Sequence, residues 1–100
     1  MVVHIVMFTF KGSANGMNKQ QIARQVKERF ESLRGKLSGV RKFEVGLNFN
    51  EGPAAFDLVL NSEFDSPEAL QVYQVHPAHE ELKAFIDPLR DKLAVVDYEL

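Results

Sequence analysis

The chain has 100 residues, of which 45% are hydrophobic, a formal net charge of -2 at pH 7 and no cysteine. These values predict a single soluble domain over residues 1–100, and they exclude disulfides, thiolate catalysis and thiolate metal ligands. The acidic balance offers no basic surface for nucleic acid or anionic lipid, so we expect neither nucleic acid nor a membrane as a partner. No apolar stretch is long enough to span a membrane, and the N-terminal run lacks the basic start of a signal peptide, which predicts a cytoplasmic location.

The first predicted element is a strand from Val2 to Phe10, which is almost unbroken in β-branched and aromatic residues. Such a run is typical of a strand that is buried on both faces. After a glycine-containing loop, Asn18 and Gln21 form a capping-box pattern at the start of a helix of about five turns. Gly39 is predicted as the C-terminal cap of this helix. The helix carries one apolar stripe, formed by Ile22, Val26, Phe30, Leu33 and Leu37.

Two strands are predicted next, joined by a turn at Gly52-Pro53. The first runs from Val40 to Asn50 and alternates between apolar and polar residues, which is typical of a strand with one buried face. Its apolar face is formed by Phe43, Val45, Leu47 and Phe49. The second strand carries its apolar face on Phe56, Leu58 and Leu60.

Prolines predict the bounds of the remaining helices. Ser66 followed by Pro67 is a typical helix start, with the proline at the first helical position. This helix should carry Tyr73 inward and break before Pro77, because a proline disfavours helical geometry at the residue before it. A third helix should break or kink at Pro88. A closing strand is predicted over residues 94–100.

The order strand, helix, strand, strand, helix, strand predicts an α+β, ferredoxin-like βαββαβ protomer with a four-stranded antiparallel sheet. The first and third strands are central in this topology, and the helices cover one face. The other face would expose Ile5 and Met7 to water, which a stable monomer rarely tolerates. We therefore expect a homodimer whose sheets pack face to face.

Segment 73–79 reads Tyr-Gln-Val-His-Pro-Ala-His and holds two of the three histidines. Histidine titrates near neutral pH and binds metals, so this bend is a candidate site. A helix start with His76 as a structural cap explains the same pattern. His76 and His79 have the spacing of a helical metal pair that His4 or Asp97 could complete, but the proline between them disturbs the helix, and we expect no metal.

Three segments together resemble the stress-responsive dimeric α/β-barrel family: the start from Val3 to Phe8, the 73–79 motif, and the end from Val95 to Glu99. The resemblance spans essentially the whole chain. It implies a dimer whose two sheets enclose a barrel. Most relatives have no known activity, and a few plant relatives are polyketide cyclases that use no metal or redox cofactor.

The cyclase resemblance implies roles for individual residues. His79 would remove a proton next to a carbonyl, and Tyr73 would donate a hydrogen bond to the oxygen that gains charge. Asp97 would orient His79, while His4 and His76 would line the same pocket. Ordinary structural roles also fit: Tyr73 extends an apolar stripe, Asp97 pairs with a cation, and His4 is a core histidine.

The first helix turns only apolar side chains inward, so we expect a small apolar or polyketide-like ligand. The sequence does not identify the substrate. Two other functions remain alternatives. A non-catalytic dimer could bind such a ligand or serve as a stress-associated structural protein. Related barrel families include oxygenases and haem-handling enzymes, for which His79 could serve as an axial ligand.

Overall fold

The computed structural model describes residues 1–100. Its strands are β1 (Val2–Phe10), β2 (Ser13–Ala14), β3 (Met17–Asn18), β4 (Val40–Leu47), β5 (Leu58–Phe64) and β6 (Arg90–Glu99). Its helices are α1 (Lys19–Leu33), α2 (Pro67–Gln74) and α3 (Pro77–Ile86), with a 3-10 turn at Arg34–Lys36 after α1. The main sheet is antiparallel with the order β4-β5-β1-β6, so β1 and β5 are central and β6 is an edge. The predicted ferredoxin-like α+β fold is confirmed.

Strand β1 divides its side chains between the two faces of the sheet. Val6, Phe8 and Phe10 are buried in the core under the helices, whereas Ile5 and Met7 point to the opposite face and are only half-buried. Helix α1 contributes the predicted stripe as far as Leu33, whereas Leu37 lies beyond the 3-10 turn. The ring centroid of Phe30 lies 6.0 Å from that of Phe8. The core therefore lies between one face of the sheet and the helices.

The predicted helix starts are confirmed by their hydrogen bonds. The Gln21 amide donates to the Asn18 side chain and the Asn18 amide donates to the Gln21 side chain, both at 2.9 Å. Ser66 accepts from the Ala69 amide at 3.1 Å, with Pro67 at the first helical position. These bonds satisfy amides that have no partner within their own helix.

The predicted role of Gly39 as a helix cap is wrong. Helix α1 ends at Leu33, and the 3-10 turn separates it from Gly39. Gly39 has a φ of 72°, and an added Cβ would lie 3.0 Å from the Cβ of Ala69. Its carbonyl accepts a hydrogen bond from the Asp65 amide at 2.9 Å. A glycine is needed here because the backbone is left-handed and passes close to α2.

The predicted position of Phe49 on a buried strand face is also wrong. Strand β4 ends at Leu47, and Phe49 is 97% exposed. The Asn48 side chain binds both the amide and the carbonyl of Asn50, at 3.0 and 2.7 Å. These local bonds replace the ladder and turn the chain out of the sheet, which is a common effect of asparagine.

The end of the chain differs from the prediction in one respect. Helix α3 ends at Ile86, before Pro88, as predicted. Strand β6 then begins at Arg90, four residues before the predicted start, and the Lys92 amide donates to the Thr9 hydroxyl at 2.8 Å.

None of the helices combines the length and apolarity that crossing a bilayer requires.

Candidate functional site

A cavity of about 200 Å³ lies between the helices and the sheet, beside β1 and β6. It exists because the helices leave the core-side face of the edge strand β6 uncovered, where Leu93 and Val95 are 45% and 50% exposed. Its wall is mostly apolar. The polar or charged residues on the wall are His4, Tyr73, Gln74, His79, Lys83, Asp87 and Arg90.

The bend between α2 and α3 brings Tyr73 and His79 together. Tyr73 lies in the last turn of α2 and His79 in the first turn of α3, and their ring centroids are 4.6 Å apart. The Tyr73 ring is buried and also packs on Phe64, with the centroids 5.2 Å apart. Both Tyr73 and His79 line the cavity, so the structure brings these two predicted site residues to one place.

Asp97 does not orient His79, contrary to the prediction. Its carboxylate Oδ1 pairs with Nδ1 of His4, which is buried and lines the cavity. The strand register explains this, because His4 and Asp97 are directly opposite each other on β1 and β6 and share the core-side face. The His4 ring centroid lies 6.2 Å from that of Tyr73, so His4 and His79 both contact the tyrosine.

His76 is the helix cap, and its predicted place in the pocket is wrong. It is the N-cap residue of α3, and its Nδ1 accepts from the Ala78 amide at 3.0 Å. It is absent from the cavity wall. Its side chain therefore compensates an unpaired amide of the helix start rather than meeting a ligand. No group of three or more His, Asp or Glu side chains is arranged to hold a metal ion.

Comparison with known proteins identifies the family. The sequence matches the stress responsive A/B barrel domain over residues 2–100. The chain belongs to this family. It is 32% identical, over 80 residues that make up 80% of each chain, to an uncharacterised protein of Streptomyces coelicolor.

Solved structures of similar proteins share the fold. A dimeric protein of unknown function with a ferredoxin-like fold, from Bacteroides fragilis, is 35% identical with a TM-score of 0.87, over 99% of this chain and 95% of that one. A hydroxynitrile lyase from Passiflora edulis is 20% identical with a TM-score of 0.82, over 99% of this chain and 92% of that one. At that identity the likeness to the lyase shows the fold alone.

In this A/B barrel protein, burial keeps the His79 imidazole and the Tyr73 phenol neutral near pH 7. Burial lowers the pKa of His79 below the usual 6.5, although the backbone of Gln74 and the carboxylate of Glu80 act in the opposite direction. Burial raises the pKa of Tyr73, so its hydroxyl keeps its proton and can donate a hydrogen bond. The Nδ1 atom of His79 is buried and has no hydrogen-bond partner in the protein.

The lowered pKa of His79 predicts a loss of stability in mild acid. As the pH falls through 6.5, the unfolded chain protonates His79 while the folded chain does not, so the free energy of unfolding decreases. We expect urea midpoints to fall between about pH 7.5 and 5, and the His79→Gln variant to show a smaller fall. His4, Glu80 and Lys83 contribute to the field at His79 and are retained in both proteins. Equal pH profiles for the two proteins would contradict the prediction.

The sequence did not reveal three charged residues of the cavity wall. Lys83, Asp87 and Arg90 belong to no motif, and charged residues near a helix end are common on protein surfaces. One signal was available: Lys83 follows His79 by four residues, a spacing that puts both on one helix face. Arg90 could be found only from the early start of β6.

Proposed function

We propose that this A/B barrel protein is a homodimer that buries the sheet face opposite the helices. This outer face carries a continuous apolar patch, because residues paired directly across the strands project to the same side. The register pairs Ile5 with Val96 and Met7 with Val59. Val96 is 56% exposed in the protomer, and Ile5, Met7 and Val59 are half-buried. An exposed patch of this kind is typical of a protein interface.

The rest of the outer face supports the same proposal. Lys42 and Glu63 form an ion pair across β4 and β5 at 4.0 Å, and Glu44 and Asn61 are paired on the same strands. Polar groups next to an apolar centre are typical of interfaces between subunits. The Bacteroides fragilis relative, which is 35% identical, is described as dimeric. In a homodimer, the apolar patch on β1, β5 and β6 would pack against the same patch of the second protomer.

The cavity of each protomer is proposed to bind a small apolar ligand that has a polar group. The observation that carries this proposal is that the His79 imidazole and the Tyr73 phenol meet at the wall of a mostly apolar cavity of about 200 Å³. A mostly apolar pocket with a few converging polar groups is typical of a site for a small molecule. Such a ligand would place its apolar part against the wall and its polar group beside His79 and Tyr73.

A second function, catalysis of proton transfer without a cofactor, is favoured by the groups that surround Tyr73. His79 would take the proton from a carbon next to a ligand carbonyl, and the electron pair would move onto the carbonyl oxygen. The Tyr73 hydroxyl would donate a hydrogen bond to that oxygen. His4, held through Nδ1 by Asp97, would be a second acid–base group at the same cavity.

This chemistry fits a polyketide-like cyclase, whose aldol ring closure begins by removing such a proton. The hydroxynitrile lyase from Passiflora edulis has the same fold. The geometry favours acid–base over oxygen chemistry, because two imidazoles and a protonated phenol meet at one cavity.

Exchange of the methyl protons of acetophenone for deuterium in D₂O, followed by NMR, tests the proposal without knowledge of the substrate. We expect the protein to accelerate exchange, and His79→Ala to reduce the acceleration by about 10²-fold while leaving the circular dichroism spectrum unchanged. Asp97→Asn should also slow exchange, because His4 loses its fixed tautomer. Asp91→Asn, also on β6 but in no ion pair, is the matched control.

Binding of acetophenone with no exchange above the buffer rate would overturn the catalytic proposal and leave the binding proposal in place. If the His79→Ala variant accelerates deuterium exchange as much as the wild type does, His79 is not the base.

A further inference from the structure

We propose that the ligand of this cavity is a small apolar molecule with one carboxylate, whose apolar body lies inside while the carboxylate binds at a mouth formed by Lys83, Asp87 and Arg90. All three residues line the cavity, and Lys83 and Asp87 are exposed. The inference rests on the binding function proposed above and adds the chemical class of the ligand.

The charges at the mouth favour a monoanion. The Arg90 Nε atom lies 3.3 Å from Asp87 Oδ1, so the carboxylate of Asp87 offsets one of the two cations. Lys83 takes part in none of the ion pairs of the molecule. The mouth therefore keeps one positive charge without a partner, next to an apolar interior. A carboxylate would compensate that charge, whereas a dianionic phosphate group would exceed it.

The position of Lys83 connects this mouth to the proposed chemistry. Lys83 follows His79 by four residues on α3, so the two side chains lie on one face of the helix, one turn apart. The aliphatic stem of a lysine can cover an apolar wall while its ammonium group stays in water. A carboxylate held by Lys83 would thus place the rest of the ligand beside His79 and Tyr73.

The volume of the cavity limits the size of the ligand. At about 200 Å³ it exceeds the roughly 150 Å³ of a cavity that admits benzene. It is smaller than the roughly 300–1,000 Å³ of sites for drug-sized ligands. One ring with a short acidic side chain therefore fits the space, and phenylacetate is a suitable probe.

Calorimetric titration at pH 8 and low salt with phenylacetate and its neutral analogue phenylacetamide tests the inference. We expect phenylacetate to bind more tightly by roughly two- to fivefold, the range for a partly exposed ion pair. Lys83→Gln should abolish this difference, because it removes the cation that the carboxylate of phenylacetate contacts. Lys36→Gln, an exposed lysine outside the cavity, should change nothing. Asp87→Asn should tighten phenylacetate binding, because it releases Arg90.

The outcomes separate this inference from the proposed function. If the two probes bind equally well and Lys83→Gln changes neither affinity, the ligand class proposed here is wrong, while the proposal that the cavity binds a ligand still stands. Tighter binding of benzylphosphonate than of phenylacetate would overturn the assignment to a monoanion. If neither phenylacetate nor phenylacetamide binds at about 10 mM, the proposed binding function fails, and the inference fails with it.

Discussion

Ile5→Asp is expected to convert the protein from a dimer into a monomer. Ile5 lies on the central strand β1, and its neighbours across the sheet on the outer face are Asn61 and Val96. An aspartate there would be buried without a cation when the sheets pack together, and the two-fold symmetry would introduce it twice. We expect a cost of about 3 kcal/mol or more, which weakens the dimer at least about a hundredfold.

Light scattering at micromolar concentration measures this effect, and a matched pair of variants controls for charge alone. Val96 on the outer face and Val72 on α2 are both 56% exposed in the protomer. Val96→Asp should weaken the dimer, whereas Val72→Asp should leave it intact. A wild-type protein that is monomeric and folded at this concentration, or an Ile5→Asp variant that remains dimeric, would refute the proposed interface.

Tyr73→Ala is expected to cost about 3–5 kcal/mol of folding free energy, the range for removing a large aromatic side chain from a core. The Tyr73 side chain is 2% exposed, and its ring centroid lies within 6.2 Å of those of His4, Phe43, Phe64 and His79. Removal of the Tyr73 ring would leave a cavity that the remaining aromatic side chains cannot fill. This new cavity would be continuous with the ligand cavity, because Tyr73 lines its wall.

Tyr73→Phe separates the packing role of this residue from its proposed chemical role. The ring is retained, so we expect a stability within about 1 kcal/mol of the wild type. Proton exchange into acetophenone should still fall by about 10²-fold, because the donor to the developing oxyanion is lost. Urea unfolding at one fixed protein concentration measures the stabilities, since a dimer's stability depends on concentration. Equal exchange rates for Tyr73→Phe and the wild type would limit Tyr73 to packing.

Features governed by neighbouring residues were predictable from the sequence. The capping box at Asn18, the helix start at Ser66 and the helix break before Pro88 all follow from local sterics and hydrogen bonds. The meeting of Tyr73 and His79 belongs to this group, because they are six residues apart on either side of a proline-induced bend. The two-faced character of β1 followed from its run of apolar residues, and the strand order followed from the ferredoxin-like topology that the order of elements predicted.

Local competition between hydrogen bonds explains the errors near strand ends. Apolar alternation extended the predicted β4 as far as Phe49, but the side chain of Asn48 binds the backbone of Asn50 and ends the strand. The error at Gly39 has a steric cause, because its left-handed backbone serves a close approach to α2 rather than the end of α1.

The partner of Asp97 was decided only by the tertiary structure. His4 and Asp97 are 93 residues apart, and the register between β1 and β6 places them directly opposite each other. The sequence identified both residues as candidates and assigned Asp97 to the wrong histidine. A shift of one residue in that register would have turned Asp97 to the outer face, and the strand that pairs with β6 lies at the other end of the chain.

The cavity itself also depends on tertiary structure. By itself, the sequence determined the order of elements and the bend that joins Tyr73 to His79, because these depend on residues that are close along the chain. Its three motifs also indicated the family. The three-dimensional packing decided that β6 stays uncovered by helices, that a cavity opens there, and that Lys83 stands at its mouth. These features depend on how distant segments fill space together, a property of the whole fold rather than of any segment.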